Sequence, residues 1–131
     1  MKNFAKDNLK LGIIGAGIMG RGIAQIASIV GVEVILADTQ QAVCDDAVVF
    51  IHNMMDRAVE KGRLQENEAN NSKQKISVTT NLKNFVTCDI VIEAIVENLE
   101  IKQSIFRELE DIVKPDCILA TNTSSFSVTS I

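Results

Sequence analysis

The chain has 131 residues, which suits one domain spanning 1–131, and its 47% hydrophobic content against 23% charged is enough to fold around a core. A net charge of −4, five Phe and no Trp or Tyr leave neither a basic footprint nor a stacking platform, so nucleic acid is not expected as a partner. No apolar run reaches the ~20 residues of a membrane span, and Met1 to Asp7 lack an apolar signal-peptide core, so a cytoplasmic protein without a membrane partner is expected.

In chain order, Leu9 to Ile14 is an apolar, β-branched run broken only by Lys10 and Gly12, and it predicts a buried strand. Gly15 to Gly20 is a turn. Ile18 to Ile29 has helical spacing, with Ile18, Ile23, Ile26 and Ala27 as its apolar positions and Gly31 ending it. Val32 to Ala37 is a second strand, closed by Asp38. Gln40 to Lys61 predicts a long amphipathic helix with Val43, Ala47, Phe50, Ile51, Met54 and Ala58 on one face. Polar residues from Arg63 to Lys73 predict a short helix and a turn. Lys75 to Thr79 and Cys88 to Ala94 are the third and fourth strands. Leu99 to Val113 is a helix that Asn98 can cap, with Ile101, Ile105, Phe106, Leu109 and Ile112 on its apolar face. Pro115 stops it, and Asp116 to Thr121 is the fifth strand. Strands alternating with helices predict an α/β fold with a parallel sheet and right-handed crossovers.

Cys44, Cys88 and Cys117 are widely spaced and form no CxxC pair, so reduced, packed thiols are expected, with neither zinc nor disulfides. His52, the only histidine, falls inside a helical pattern without an acidic or Ser partner at a telling spacing. It reads as a helix-surface residue and not as a base.

Gly15-x-Gly17-x-x-Gly20 follows a strand and opens a helix. The first glycine permits the tight turn, the second lets a pyrophosphate approach the backbone, and the third lets the helix pack on the sheet. The helix starting at Ile18 and Met19 then aims the positive end of its dipole at the phosphates. Asp38, at the end of the second strand, can accept hydrogen bonds from both adenosine ribose hydroxyls and would repel a 2′-phosphate. No Arg follows in Thr39-Gln40-Gln41 to accommodate one, so the cofactor is expected to be NAD and not NADP. Methyltransferases share a glycine-rich first turn and an acidic residue after the second strand, but three glycines running directly into a helix suit a dinucleotide better. The fold class is therefore a Rossmann-type, doubly wound parallel sheet.

Gly15 to Gln25 (GAGIMGRGIAQ), Ile90 to Lys102 (IVIEAIVENLEIK) and Leu119 to Ser125 (LATNTSS) together resemble the 3-hydroxyacyl-CoA dehydrogenase family, and the similarity runs over essentially the whole chain. The resemblance implies NAD-dependent, reversible oxidation of an L-3-hydroxyacyl-CoA in fatty acid metabolism and β-oxidation. It implies that Glu97 and Lys102 lie near the nicotinamide, that Asn122 lines its pocket and that Ser124 is the catalytic hydroxyl on the substrate's 3-oxygen. Arg57 and Lys61, four apart on one helix side, would reach the CoA phosphates, and Lys61-Gly62-Arg63 matches the family's basic-Gly-basic pattern. The family's histidine base, its glutamate partner and its helical substrate and dimerisation domain have no counterpart in these residues, nor does an upstream hydratase region. The expectation is therefore a stand-alone, hydroxybutyryl-CoA-type enzyme, homodimeric through that domain. Here it would be cut before the catalytic His, with a sheet incomplete at its C-terminal edge and no activity of its own. A non-catalytic NAD-binding sensor or crystallin-like relative is the alternative.

Overall fold

The computed structural model describes residues 9–95 and 99–121. β1 (Lys10–Ile14), β2 (Glu33–Ala37), β3 (Ile76–Thr79), β4 (Ile90–Glu93) and β5 (Ile118–Thr121) form one parallel sheet in the order β3-β2-β1-β4-β5. β1 is central and buried from Leu11 to Ile14, as an apolar run covered on both faces must be. The strand order reverses direction at β1. The chain winds outward through β2 and β3, then crosses back to β4 on the other side, so a crevice opens beyond the strands' C-terminal ends.

Two apolar clusters flank the sheet. On one face α1 (Ile18–Ile29), α2 (Gln41–Glu60) and α3 (Glu66–Gln74) cover Leu11, Ile13, Val34 and Leu36. On the other, α4 (Leu99–Ile112) and a 3₁₀ turn at Leu82–Thr87 cover Ile14, Ala37 and Val91. The 3₁₀ turn has no counterpart in the sequence reading. It buries Phe85 completely over Gly12, where a Cβ would stand 3.2 Å from the ring, so the strand glycine makes room for the aromatic.

Three helices keep part of the expected apolar face and shift the rest: Ala47, Ile51, Phe106 and Leu109 are buried as expected, and Ile23 and Ala27 pack against the core. In α1 the buried positions are Gly20, Ala24 and Ser28, while Ile18 and Ile26 are 89% and 68% exposed. A stripe of small residues lets the backbone lie close to the sheet, and the large side chains turn outward. In α2 the buried stripe is Cys44, Ala47, Ile51 and Met55, and Phe50 stays partly open. In α4 Lys102 joins Phe106 and Leu109 in burial, whereas Ile101 is exposed. The polar stretch before β3 forms α3, opened by a capping box in which Glu68 Oε1 accepts from the Gln65 N–H at 3.0 Å. Among the described residues β5 pairs with β4. Among them, too, no helix is long and apolar enough to cross a membrane.

Candidate functional site

The turn after β1 is shaped by its glycines. Gly15 has φ +105°, and a Cβ there would lie 2.7 Å from the Ala94 carbonyl oxygen at the exit of β4. Its N–H donates to Ala37 O at 2.7 Å, tying the turn to the end of β2. A Cβ on Gly20 would stand 1.7 Å from Gly15 O, so helix and turn can close only around a hydrogen. A Cβ on Gly17 would meet nothing within 4 Å. This is the open side, where a phosphate can approach the backbone. Gly17 is also the N-cap of α1, whose first turn carries no acidic residue to compete for an anion.

Asp38 faces this turn. Its Oδ2 accepts from the Ala16 N–H at 3.0 Å and its Oδ1 from the Gln40 N–H at 3.1 Å. A carboxylate has about four lone-pair sites, so about two remain for ribose hydroxyls. Asp38 borders three adjoining hollows of about 370, 250 and 140 Å³ that run along the strand ends. Gly15, Gly17, Gln40, Val43, Ala94 and Ile95 line the largest, and Ile101 and Ile105 close the next. The exposed Ile101 of α4 is therefore a cleft wall.

A family profile described as "3-hydroxyacyl-CoA dehydrogenase, NAD binding domain" matches residues 10–131. The chain belongs to that family. It is 43% identical over 123 residues to a probable 3-hydroxybutyryl-CoA dehydrogenase of Deinococcus radiodurans, covering 94% of this chain and 44% of that protein. It is 37% identical over 125 residues to a fatty acid oxidation complex subunit alpha of Psychrobacter cryohalolentis, covering 95% of this chain and 17% of that one. The crystal structure of (S)-3-hydroxybutyryl-CoA dehydrogenase from Ralstonia eutropha superposes with a TM-score of 0.88 at 35% identity, over 95% of this chain and 44% of the other. The chain thus spans less than half the length of these relatives.

NAD is the family's cofactor, and the crevice fits it: open space at Gly17 wide enough for a phosphate, the α1 dipole behind it, and a carboxylate at the end of β2. Ile18 and Met19, the first residues of α1, are exposed beside it. Sequence reasoning passed over Arg21. Its Nε and Nη2 donate to Ala16 O at 3.1 and 2.9 Å, and its guanidinium lies 5.4 Å from the Phe50 ring centroid. It clamps the glycine turn and places a positive charge one turn into α1. An Arg directly after the third glycine was the available signal.

Lys102 is not on a solvated helix face. It is fully buried, and its Nζ pairs with Glu93 Oε1 at 3.3 Å. Glu97, Asn122 and Ser124 lie outside the described residues. Arg57, in the last turn of α2, and Lys61, its C-cap, are both exposed. Arg57 is sixteen residues from the helix start at the crevice, roughly 24 Å along the axis, so neither belongs to the cofactor crevice itself. His52 is half-buried on α2, and burial, with Lys73 nearby, lowers its pKa. Cys44 and Cys88 are buried and Cys117 half-buried, all as free thiols whose pKa burial raises. Among the described residues no His, Cys, Asp and Glu cluster could hold a metal.

Proposed function

We propose that this chain supplies the NAD-binding domain of an L-3-hydroxyacyl-CoA dehydrogenase of the stand-alone 3-hydroxybutyryl-CoA type, a cytoplasmic homodimer that interconverts 3-hydroxyacyl-CoA and 3-oxoacyl-CoA. The observation that carries this reading is the Asp38 carboxylate held across the open Gly17 turn at the sheet's switch point, in a chain of this family. NAD, when bound, accepts the hydride that leaves C3 of the substrate.

On this reading the chain's own residues bind and orient. Asp38 holds the adenosine ribose, and the Gly17 turn with α1 holds the pyrophosphate. Glu97, Lys102 and Asn122 shape the nicotinamide end. The Ser124 hydroxyl donates to the substrate's 3-oxygen, and Arg57 and Lys61 meet the CoA phosphates. A histidine outside this sequence takes the hydroxyl proton as the carbonyl forms, and a glutamate partner holds that histidine.

The test is a chimera in which this chain replaces the corresponding segment of the Deinococcus radiodurans relative, assayed for acetoacetyl-CoA reduction by NADH. Turnover of ~1–10³ s⁻¹ is expected from the chimera and none from the 131 residues alone. A folded chimera that binds NADH but reduces no acetoacetyl-CoA would favour a non-catalytic NAD-binding role.

A further inference from the structure

Glu93 is the last residue of β4 and is 1% exposed. Its Oε2 accepts from the Ile95 N–H at 2.8 Å. Its Oε1 accepts from Thr121 Oγ1 at 2.6 Å and pairs with Lys102 Nζ at 3.3 Å. Thr121 ends β5 directly opposite Glu93 in the sheet register, and Lys102 sits near the start of α4. One carboxylate thus joins the ends of two strands, the start of a helix and the chain leaving β4.

An ion pair at this depth is a poor core filler, because desolvating both charges offsets much of their attraction and apolar side chains of similar size would pack as well. α4 uses such side chains at its next buried positions, Phe106 and Leu109. The pair also lies at the ligand end of the sheet. With the adenosine ribose at Asp38 on the β2 side and the pyrophosphate at Gly17, the rest of a dinucleotide must cross β1 toward the ends of β4 and β5. Ala94 and Ile95 wall the crevice on that side, and the Ile95 backbone is held by Glu93.

We propose that Glu93 is a positioning residue for the nicotinamide half of the cofactor: it fixes Ile95 as a preformed wall and ties the start of α4 to β4 through Lys102, so that binding this half does not require ordering that wall. The proposal rests on the NAD reading of the crevice and assigns the nicotinamide side a determinant separate from Asp38. It predicts a split between two ligands. ADP-ribose carries the adenosine and pyrophosphate but no nicotinamide, whereas NADH carries all three.

The experiment is calorimetric titration of the 131-residue chain with NADH and with ADP-ribose, alongside thermal unfolding, for wild type, Glu93→Gln and the double variant Glu93→Gln/Lys102→Met. In Glu93→Gln a carboxamide N–H₂ replaces one accepting oxygen, so either the Ile95 N–H or the Lys102 and Thr121 donors lose the Glu93 oxygen they face in the wild type. NADH affinity is expected to fall about tenfold while ADP-ribose affinity holds within about twofold. The double variant removes the buried charge that has lost its Glu93 counterion and is expected to regain thermal stability without regaining NADH affinity. Parallel loss of both ligands, unchanged NADH binding in Glu93→Gln, or recovery of NADH affinity together with the melting temperature would each overturn the proposal. Wild-type chain that binds neither ligand would refute the cofactor reading itself, and the proposal with it.

Discussion

The Ala16 N–H donates to Asp38 Oδ2 at 3.0 Å, bridging 22 residues of chain between the glycine turn and the end of β2. The carboxylate proposed to hold the ribose is therefore also a strut of the glycine turn, and the Gln40 N–H steadies its other oxygen. Asp38→Asn keeps an acceptor for one of these donors but loses the charge. NADH binding should weaken by about 1–3 kcal/mol, and the preference over NADPH should shrink. Asp38→Ala should do the same and also lower the melting temperature, because both N–H groups lose their acceptor. With no Trp or Tyr in the sequence, nicotinamide fluorescence can be followed against little protein background. Wild-type NADH affinity in Asp38→Asn would remove Asp38 from the ribose.

Gly17 and Gly20, three residues apart in one motif, should respond oppositely to the same methyl group. Gly17 has φ −73°, which alanine adopts freely, and its Cβ would meet nothing within 4 Å. Gly17→Ala should keep or slightly raise the melting temperature, since alanine restricts the unfolded chain. Its NADH affinity should drop at least roughly tenfold as the methyl takes the phosphate's space. Gly20→Ala places a Cβ 1.7 Å from Gly15 O and should cost on the order of 4 kcal/mol, a large share of a small domain's stability, with a marked drop in melting temperature. Paired melting curves and titrations check both, and a stable Gly20→Ala protein would contradict the packing described here.

Much of this site was legible in the sequence because its signals are local. Glycine spacing, a strand before it, a helix after it and an acid at the second strand's end all lie within about 30 residues, the scale of one βαβ unit. Burial that depends on how closely elements approach was not legible. Ile18 and Ile26 look like core, and only the small-residue stripe Gly20, Ala24 and Ser28, which draws α1 onto the sheet, shows why they face outward. The resemblance places Lys102 near the nicotinamide and Glu93 falls inside the fourth strand, but their burial as a pair joins α4 to β4, which no periodicity encodes. The 3₁₀ turn escaped because a single aromatic, Phe85, anchors it over a glycine in a distant strand.

Arg57 and Lys61 offer a separation by distance. Both are exposed at the far end of α2, roughly 24 Å along the helix from the crevice, where cations also complement the helix dipole. The double change Arg57→Ala/Lys61→Ala should weaken CoA binding by roughly 1–3 kcal/mol, and the loss should fade at high salt. NADH affinity should stay unchanged. Direct CoA titrations at low and high ionic strength decide this, and CoA affinity equal to wild type would return both residues to the solvated surface.

Cys88 makes the alkaline stability of the fold predictable in sign. The thiol is fully buried beneath Gly12 beside Phe85, and burial, with the Cys117 thiol adding, pushes its pKa from 9.0 up to about 12. Between those values the unfolded chain releases a proton that the folded chain keeps, so the folded state binds more protons and stability falls as pH rises. The contribution is fully present below pH 9.0 and is lost as pH climbs through about 12. The slope from this one thiol approaches about 1.4 kcal/mol per pH unit at its steepest. Cys44 and Cys117 are raised as well and act in the same direction. Urea unfolding of wild type and Cys88→Ala between about pH 8 and about pH 10.5 should give a lower starting stability but a shallower decline for the variant. A thiol reagent should label half-buried Cys117 first and reach Cys44 and Cys88 only as the chain opens. Parallel stability curves for the two proteins, or early labelling of Cys88, would mean that its thiol is solvated in the folded chain and that the Phe85 packing over β1 is wrong.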